Sequence, residues 1–209
     1  MWTNERVRSD AAATVAMGGF AGRDGAEAWK SEPKRPSRTR RTPRLPGSTP
    51  RFRVLHEIFE AQADARPETV AVLFGQEATT YFDLENYANR LARHLRTLKV
   101  RPGALVAILL PRSVDAYASQ LGVLKAGGAY VPIDPDYPAD RVACILNDSG
   151  ASALVTTAEL AEGHSSFSGA VVRVDADNMA IAAHSSARLP RKQAGVGPRD
   201  LCYVIYTSG

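Results

Sequence analysis

No stretch of this sequence is apolar for long enough to cross a membrane as a helix, which takes about 20 such residues. The first residues include Glu5 and Asp10 and lack the apolar centre of a secretory signal. These two absences predict a soluble chain with a cytoplasmic location and no membrane partner. Cysteine is scarce. Cys144 and Cys202 are far apart, and each lies in an apolar pattern, so they read as structural thiols in a reducing compartment. His56, His94, His164 and His184 keep no metal-ligand spacing with one another or with cysteine, so no metal site is expected.

What is present is a globular composition with a lopsided charge. The 209 residues are 44% apolar, enough for one large domain or two small ones. Residues 1–50 carry ten basic and five acidic side chains, whereas residues 51–209 carry sixteen and seventeen. The positive surplus therefore belongs to the N-terminal tail and says little about what the remainder binds. Lys34 to Arg44 holds six basic residues and two prolines in eleven positions. Proline and like charge both oppose a packed core, so residues 1–53 read as a disordered basic tail. An arm for nucleic acid or a membrane surface is the sharper alternative. No aromatic residue interleaves those charges, which counts against single-strand stacking and makes nucleic acid a poor candidate partner.

From Val54 onward the pattern is periodic. Leu55, Ile58, Phe59 and Ala63 have the spacing of an amphipathic helix that ends before Pro67. Thr69 to Phe74 and Ala78 to Tyr81 suggest a hairpin about Gly75-Gln76. Thr80 and Asp83 are spaced like a capping box for a helix bearing Leu84, Leu91, Leu95 and Leu98. Arg90, Arg93 and Arg96 read as the solvated face of that helix. Leu105 to Leu110 is a strand covered on both faces. Ser113 caps a helix closed by Gly127 or Gly128, with Lys125 facing its dipole. Tyr130 to Ile133, Ala153 to Thr156 and Val171 to Val174 are further strands, with a helix from Pro138 to Gly150 between the first two. Residues 176–199 read as a long surface connection. The alternation predicts an α/β chain of β-α-β units with a mainly parallel sheet.

The sequence ends Asp200-Leu-Cys-Tyr-Val-Ile-Tyr-Thr-Ser-Gly209. Leu201 to Tyr206 reads as a buried strand, and it delivers two hydroxyls and a glycine at its carboxyl end. Such an end can begin a phosphate-binding loop, because backbone N–H groups point at the anion and glycine permits close approach. A plain polar turn has the same three residues. Parallel sheets bind ligands beyond the carboxyl ends of their strands, where Thr207, Ser208 and Gly209 fall.

Three stretches in order carry a resemblance. They are Thr79-Thr-Tyr-Phe-Asp-Leu84, the run from Leu124-Lys-Ala-Gly-Gly-Ala-Tyr-Val-Pro-Ile-Asp-Pro to Asp136-Tyr-Pro-Ala-Asp-Arg141, and Tyr203-Val-Ile-Tyr-Thr-Ser-Gly209. Residues 54–209 resemble the N-terminal part of adenylation domains of nonribosomal peptide synthetases, within the adenylate-forming (AMP-binding) ligase superfamily. The resemblance implies an incomplete part of the large N-terminal domain. It also implies activation of an amino acid with Mg2+ and ATP, release of pyrophosphate, and transfer to a phosphopantetheine thiol on a partner carrier domain. In the family the last motif continues Ser-Thr-Gly-x-Pro-Lys-Gly, so only Thr207, Ser208 and Gly209 inherit an ATP-phosphate role. No catalytic residue and no metal ligand of the family is matched. In the middle stretch, the glycines are expected to cap, Tyr130 and Pro132 to pack, and Asp134, Asp136 and Asp140 to turn and cap.

The resemblance implies a fragment that is inactive alone, cut within the phosphate-loop motif: a truncated or frameshifted domain or, as an alternative, one half of a split enzyme with a downstream-encoded remainder as its partner. A non-catalytic interaction module that keeps the half-sheet as a scaffold is the reading from another class. An uncovered strand at 201–206 also predicts association or poor solubility.

Overall fold

The computed structural model describes residues 54–207. The elements are α1 (Leu55–Ala65), β1 (Val70–Phe74), β2 (Glu77–Thr80), α2 (Tyr81–Thr97), β3 (Leu105–Leu109), α3 (Val114–Ala126), β4 (Ala129–Ile133), α4 (Ala139–Ser149), β5 (Ala153–Thr156), α5 (Ala158–Glu162), β6 (Ala170–Arg173), α6 (Asn178–Ala182) and α7 (Arg191–Ala194). The expected tail at 1–53 lies outside the described residues, as do Ser208 and Gly209.

The main sheet is parallel, with strand order β4-β3-β5-β6. Leu105 lies beside Ala129 in β4, and Val106 beside Ala153 in β5. The alternating side chains of β3 divide the core. Val106, Ile108 and Leu110 join Leu91 and Leu95 of α2, Val123 of α3 and Ile181 of α6. Ala107 and Leu109 face the other way, toward Val142, Ile145 and Leu146 of α4. Both faces of the sheet are thus covered, as its continuous apolar strands require. β1 and β2 form a separate antiparallel hairpin. Val72 packs with Leu84 and Ala118, which ties the hairpin to α2 and α3.

Local chemistry fixes the helix ends. The Thr80 hydroxyl accepts from the Asp83 amide at 3.1 Å and donates to the Asp83 carboxylate at 2.7 Å. The Ser113 hydroxyl accepts from the Ala116 amide at 3.2 Å. Gly127 ends α3 with φ of 99°, and a Cβ there would lie 2.7 Å from the Ala194 carbonyl oxygen. Glycine meets both demands at once, the left-handed turn and the close backbone approach.

Several expectations need correction. Leu201 to Tyr206 is not a buried strand. It makes one parallel bridge, Tyr130 to Tyr203. Leu55 and Ile58 are 44% and 50% exposed, so the apolar stripe of α1 is only partly covered. Cys144 is exposed on α4 rather than structural, and both thiols are free. Residues 176–199 contain α6 and α7, and arginines strap this stretch to the body. Arg93 donates to the Ala187 carbonyl at 2.9 Å, and Arg96 to that of Gln193 at 2.8 Å. Their planar, multi-donor heads supply partners for carbonyls that no sheet ladder takes up.

Lys125 sits in the last turn of α3 as expected, but it is buried and held by more than the helix dipole. Its buried ammonium pairs with Glu60 and, at 3.3 Å, with Glu85. Glu85 is shared with Arg188, whose guanidinium also binds Asp64 at 2.7 Å. These partners hold the Arg188 guanidinium above its usual range, mainly through hydrogen bonds to Glu85 and Asp64. Lys125 is therefore occupied in an ion-pair network.

Candidate functional site

The sequence places its candidate site at the end of residues 201–207, and the structure sets that segment along the outer edge of β4. The Tyr130 amide donates to the Cys202 carbonyl at 3.1 Å, and the Val204 amide donates to the Tyr130 carbonyl at 3.0 Å. Parallel ladders pair every second residue on a given side. The next donor on this edge belongs to position 132, which is proline and has no N–H. The ladder cannot continue through that donor, and the segment makes a single bridge. A proline inside a strand run was the sequence signal for an edge, and the packing role expected of Pro132 overlooked it.

Side chains of the segment alternate. Val204 and Tyr206 pack against the cluster shared by β3, β4 and α4. Leu201, Tyr203 and Ile205 point the other way and are 63%, 50% and 60% exposed. The Tyr203 ring lies 5.7 Å from that of Tyr130, centroid to centroid. The Tyr206 hydroxyl donates to Asp148 Oδ2 at 2.6 Å. This bond, with some burial and the nearby Asp148 charge, pushes the Tyr206 phenol up to about 12. Sequence reading missed this contact. Asp148 stands 58 residues away, and nothing in local spacing links the two.

Thr207 follows, exposed to solvent. Because the segment runs parallel to β4, its chain leaves the sheet at the carboxyl ends of the strands. There Asp134 closes a turn by accepting from the Asp136 amide at 3.0 Å. The other two expected site residues lie beyond the described ones. Among the described residues, no group of three carboxylate, thiol or imidazole side chains could hold a metal ion. No helix among them is long and apolar enough to cross a membrane.

A larger cleft of about 910 Å³ opens between the hairpin, α2, the start of α3 and α6. In it the Tyr87 hydroxyl donates to Asp115 at 2.9 Å. Burial and the Asp115 charge raise the Tyr87 phenol above its ordinary range. No expected site residue lines this cleft.

The family model for AMP-binding enzymes matches residues 59–209. The chain belongs to that family. This AMP-binding chain is 41% identical over 157 residues to gramicidin S synthase 2 of Brevibacillus brevis, across 75% of the chain and 3% of that relative. A solved nonribosomal peptide synthetase, FmoA3 in its AMPPNP-bound form, superposes with a TM-score of 0.66 at 37% identity. That match covers 75% of this chain and 16% of the synthetase. A Mycobacterium tuberculosis fatty acyl CoA synthetase shares the fold at a TM-score of 0.63 and 23% identity, over 73% of this chain and 32% of its own. The resemblance to nonribosomal peptide synthetase adenylation domains stands, as does the α/β fold with its parallel sheet. The AMP-binding chain spans a small part of the length of these relatives.

Proposed function

We propose that residues 54–209 form the N-terminal part of an amino-acid-activating adenylation domain, with residues 1–53 as a tail separate from it. The complete domain would join an amino acid carboxylate to the α-phosphate of ATP and release pyrophosphate. The aminoacyl group would then pass to the phosphopantetheine thiol of a carrier domain. One observation carries the site: residues 201–206 lie parallel to β4 and send Thr207 out at the carboxyl end of the sheet. Its exposed hydroxyl suits a phosphate oxygen, and Ser208 and Gly209 would extend the same contact through hydroxyl and backbone N–H. Mg2+ would neutralise phosphate charge when bound. The described residues supply no carboxylate cluster for it, so the metal would lean on the nucleotide and on groups from elsewhere.

Adenylation requires carboxylate, α-phosphate and leaving group to be held together with their charge neutralised. Thr207, Ser208 and Gly209 cannot do this alone, so the 209-residue chain is expected to bind nucleotide weakly and not to turn over. A complementary part of the domain would complete the site, a reading favoured by the uncovered apolar row Leu201, Tyr203 and Ile205. Amino-acid-dependent ATP–pyrophosphate exchange tests both statements, using pools of all proteinogenic amino acids. The expected result is no exchange by the chain alone and exchange once the remaining part of such a domain is added. Exchange by the chain alone overturns the proposal of an inactive part.

A further inference from the structure

Residues 205–207 sit past the point where Pro132 ends main-chain pairing at the β4 edge. Among the described residues, their one hydrogen bond is that of the Tyr206 hydroxyl to Asp148. Asp148 lies in the last turn of α4, next to the left-handed cap at Gly150. α4 is itself fixed by buried Val142, Ile145 and Leu146 against the sheet. A packed helix therefore offers a solvent-exposed hydrogen bond to the side chain immediately before Thr207. The Tyr206 ring would pack equally well without its oxygen, as phenylalanine. The hydroxyl adds direction, because a phenol donating to a carboxylate at 2.6 Å is a short, charge-assisted bond with a defined line.

We propose that Asp148 and Tyr206 are a positioning pair that sets how the chain leaves the sheet edge, and so aims Thr207 at the phosphates of a nucleotide. The inference rests on the nucleotide role given above to Thr207. In it the α4 carboxylate does the work that a ladder bond at position 132 would otherwise do. Neither residue touches the nucleotide. The pair acts by removing the freedom of a strand end, which phosphate recognition cannot tolerate.

The test uses the full chain with Tyr206→Phe, Asp148→Ala and Asp148→Asn. Amide hydrogen exchange is followed by mass spectrometry in a 201–209 peptide and in peptides covering β3 and β5. Binding of Mg-ATP is followed at millimolar concentration by 31P line broadening. Tyr206→Phe and Asp148→Ala should speed exchange in 201–209 about tenfold and leave β3 and β5 unchanged. Both should weaken Mg-ATP binding by a similar factor. Asp148→Asn keeps an accepting oxygen without the charge and should fall between the parent and Asp148→Ala. Phenol absorbance should show the Tyr206 titration moving down from about 12 in Asp148→Ala. Unchanged exchange, or faster exchange spread equally over β3 and β5, overturns the proposal. If exchange rises locally but Mg-ATP binds parent and variants alike, positioning is refuted while the nucleotide role of Thr207 survives. If Mg-ATP binds none of the proteins, that role falls and the proposal falls with it.

Discussion

β5 and the 201–206 segment are both short, apolar and rich in branched or aromatic side chains, yet only β5 became a strand. β5 lies between β3 and β6, and all four of its residues are buried. Among the described residues, the 201–206 segment has one strand beside it, β4, and that strand withholds a donor at Pro132. Its second apolar face stays open at Leu201, Tyr203 and Ile205. Composition makes a segment able to be a strand. Whether it becomes one depends on the donors and the cover its neighbours offer.

The sharpest way to break this comparison is to cut equivalent side chains on the two sides. Leu154 is fully buried in β5, so Leu154→Ala removes its contacts and leaves a cavity. The expected loss is about 3 kcal/mol, measured by urea unfolding. Ile205→Ala should change stability by no more than about 0.5 kcal/mol, since most of that side chain already meets water. A loss at Ile205 as large as at Leu154 would mean that the open face is covered in solution. The smallest expected effect belongs to Pro132→Val, which restores the missing N–H. Hydrogen exchange at residues 203–206 should slow several-fold while global stability moves by about 0.5 kcal/mol or less. If exchange there does not slow, proline is not what stops the ladder.

Much of the scaffold was legible because its signals are local. Thr80 with Asp83, Ser113, Gly127 and Gly150 each announce a helix end through chemistry contained within a few residues. The parallel sheet followed from strands alternating with helices. The destinations of long side chains were not legible. Arg93, Arg96 and Arg188 have the spacing of a wet helix face or a loop, but each has a partner more than 90 residues away. Lys125 is the last-turn lysine the sequence suggests, but nothing near it in sequence shows that Glu60 and Glu85 arrive beside it. The stripe of α1 was read correctly as apolar, but periodicity reports which face is greasy and not whether anything covers it. At the site, Thr207 could be singled out from sequence, whereas Asp148 and Tyr206 meet only in the folded chain.

Arg188 joins Glu85 across 103 positions and Asp64 across 124. At roughly 5 to 20 residues per second, a ribosome adds those 103 residues in about 5 to 20 s. Throughout that interval Glu85 has Lys125 as its eventual partner but no guanidinium, and α1 has no clasp to α2 from this side. The nascent chain can assemble the sheet around β3 early, because β4 and β5 follow it closely. Glu60 of α1 can already meet Lys125 of α3 in that interval, so α1 can dock early, while its second tie, from Asp64 to Arg188, waits for that residue to be made.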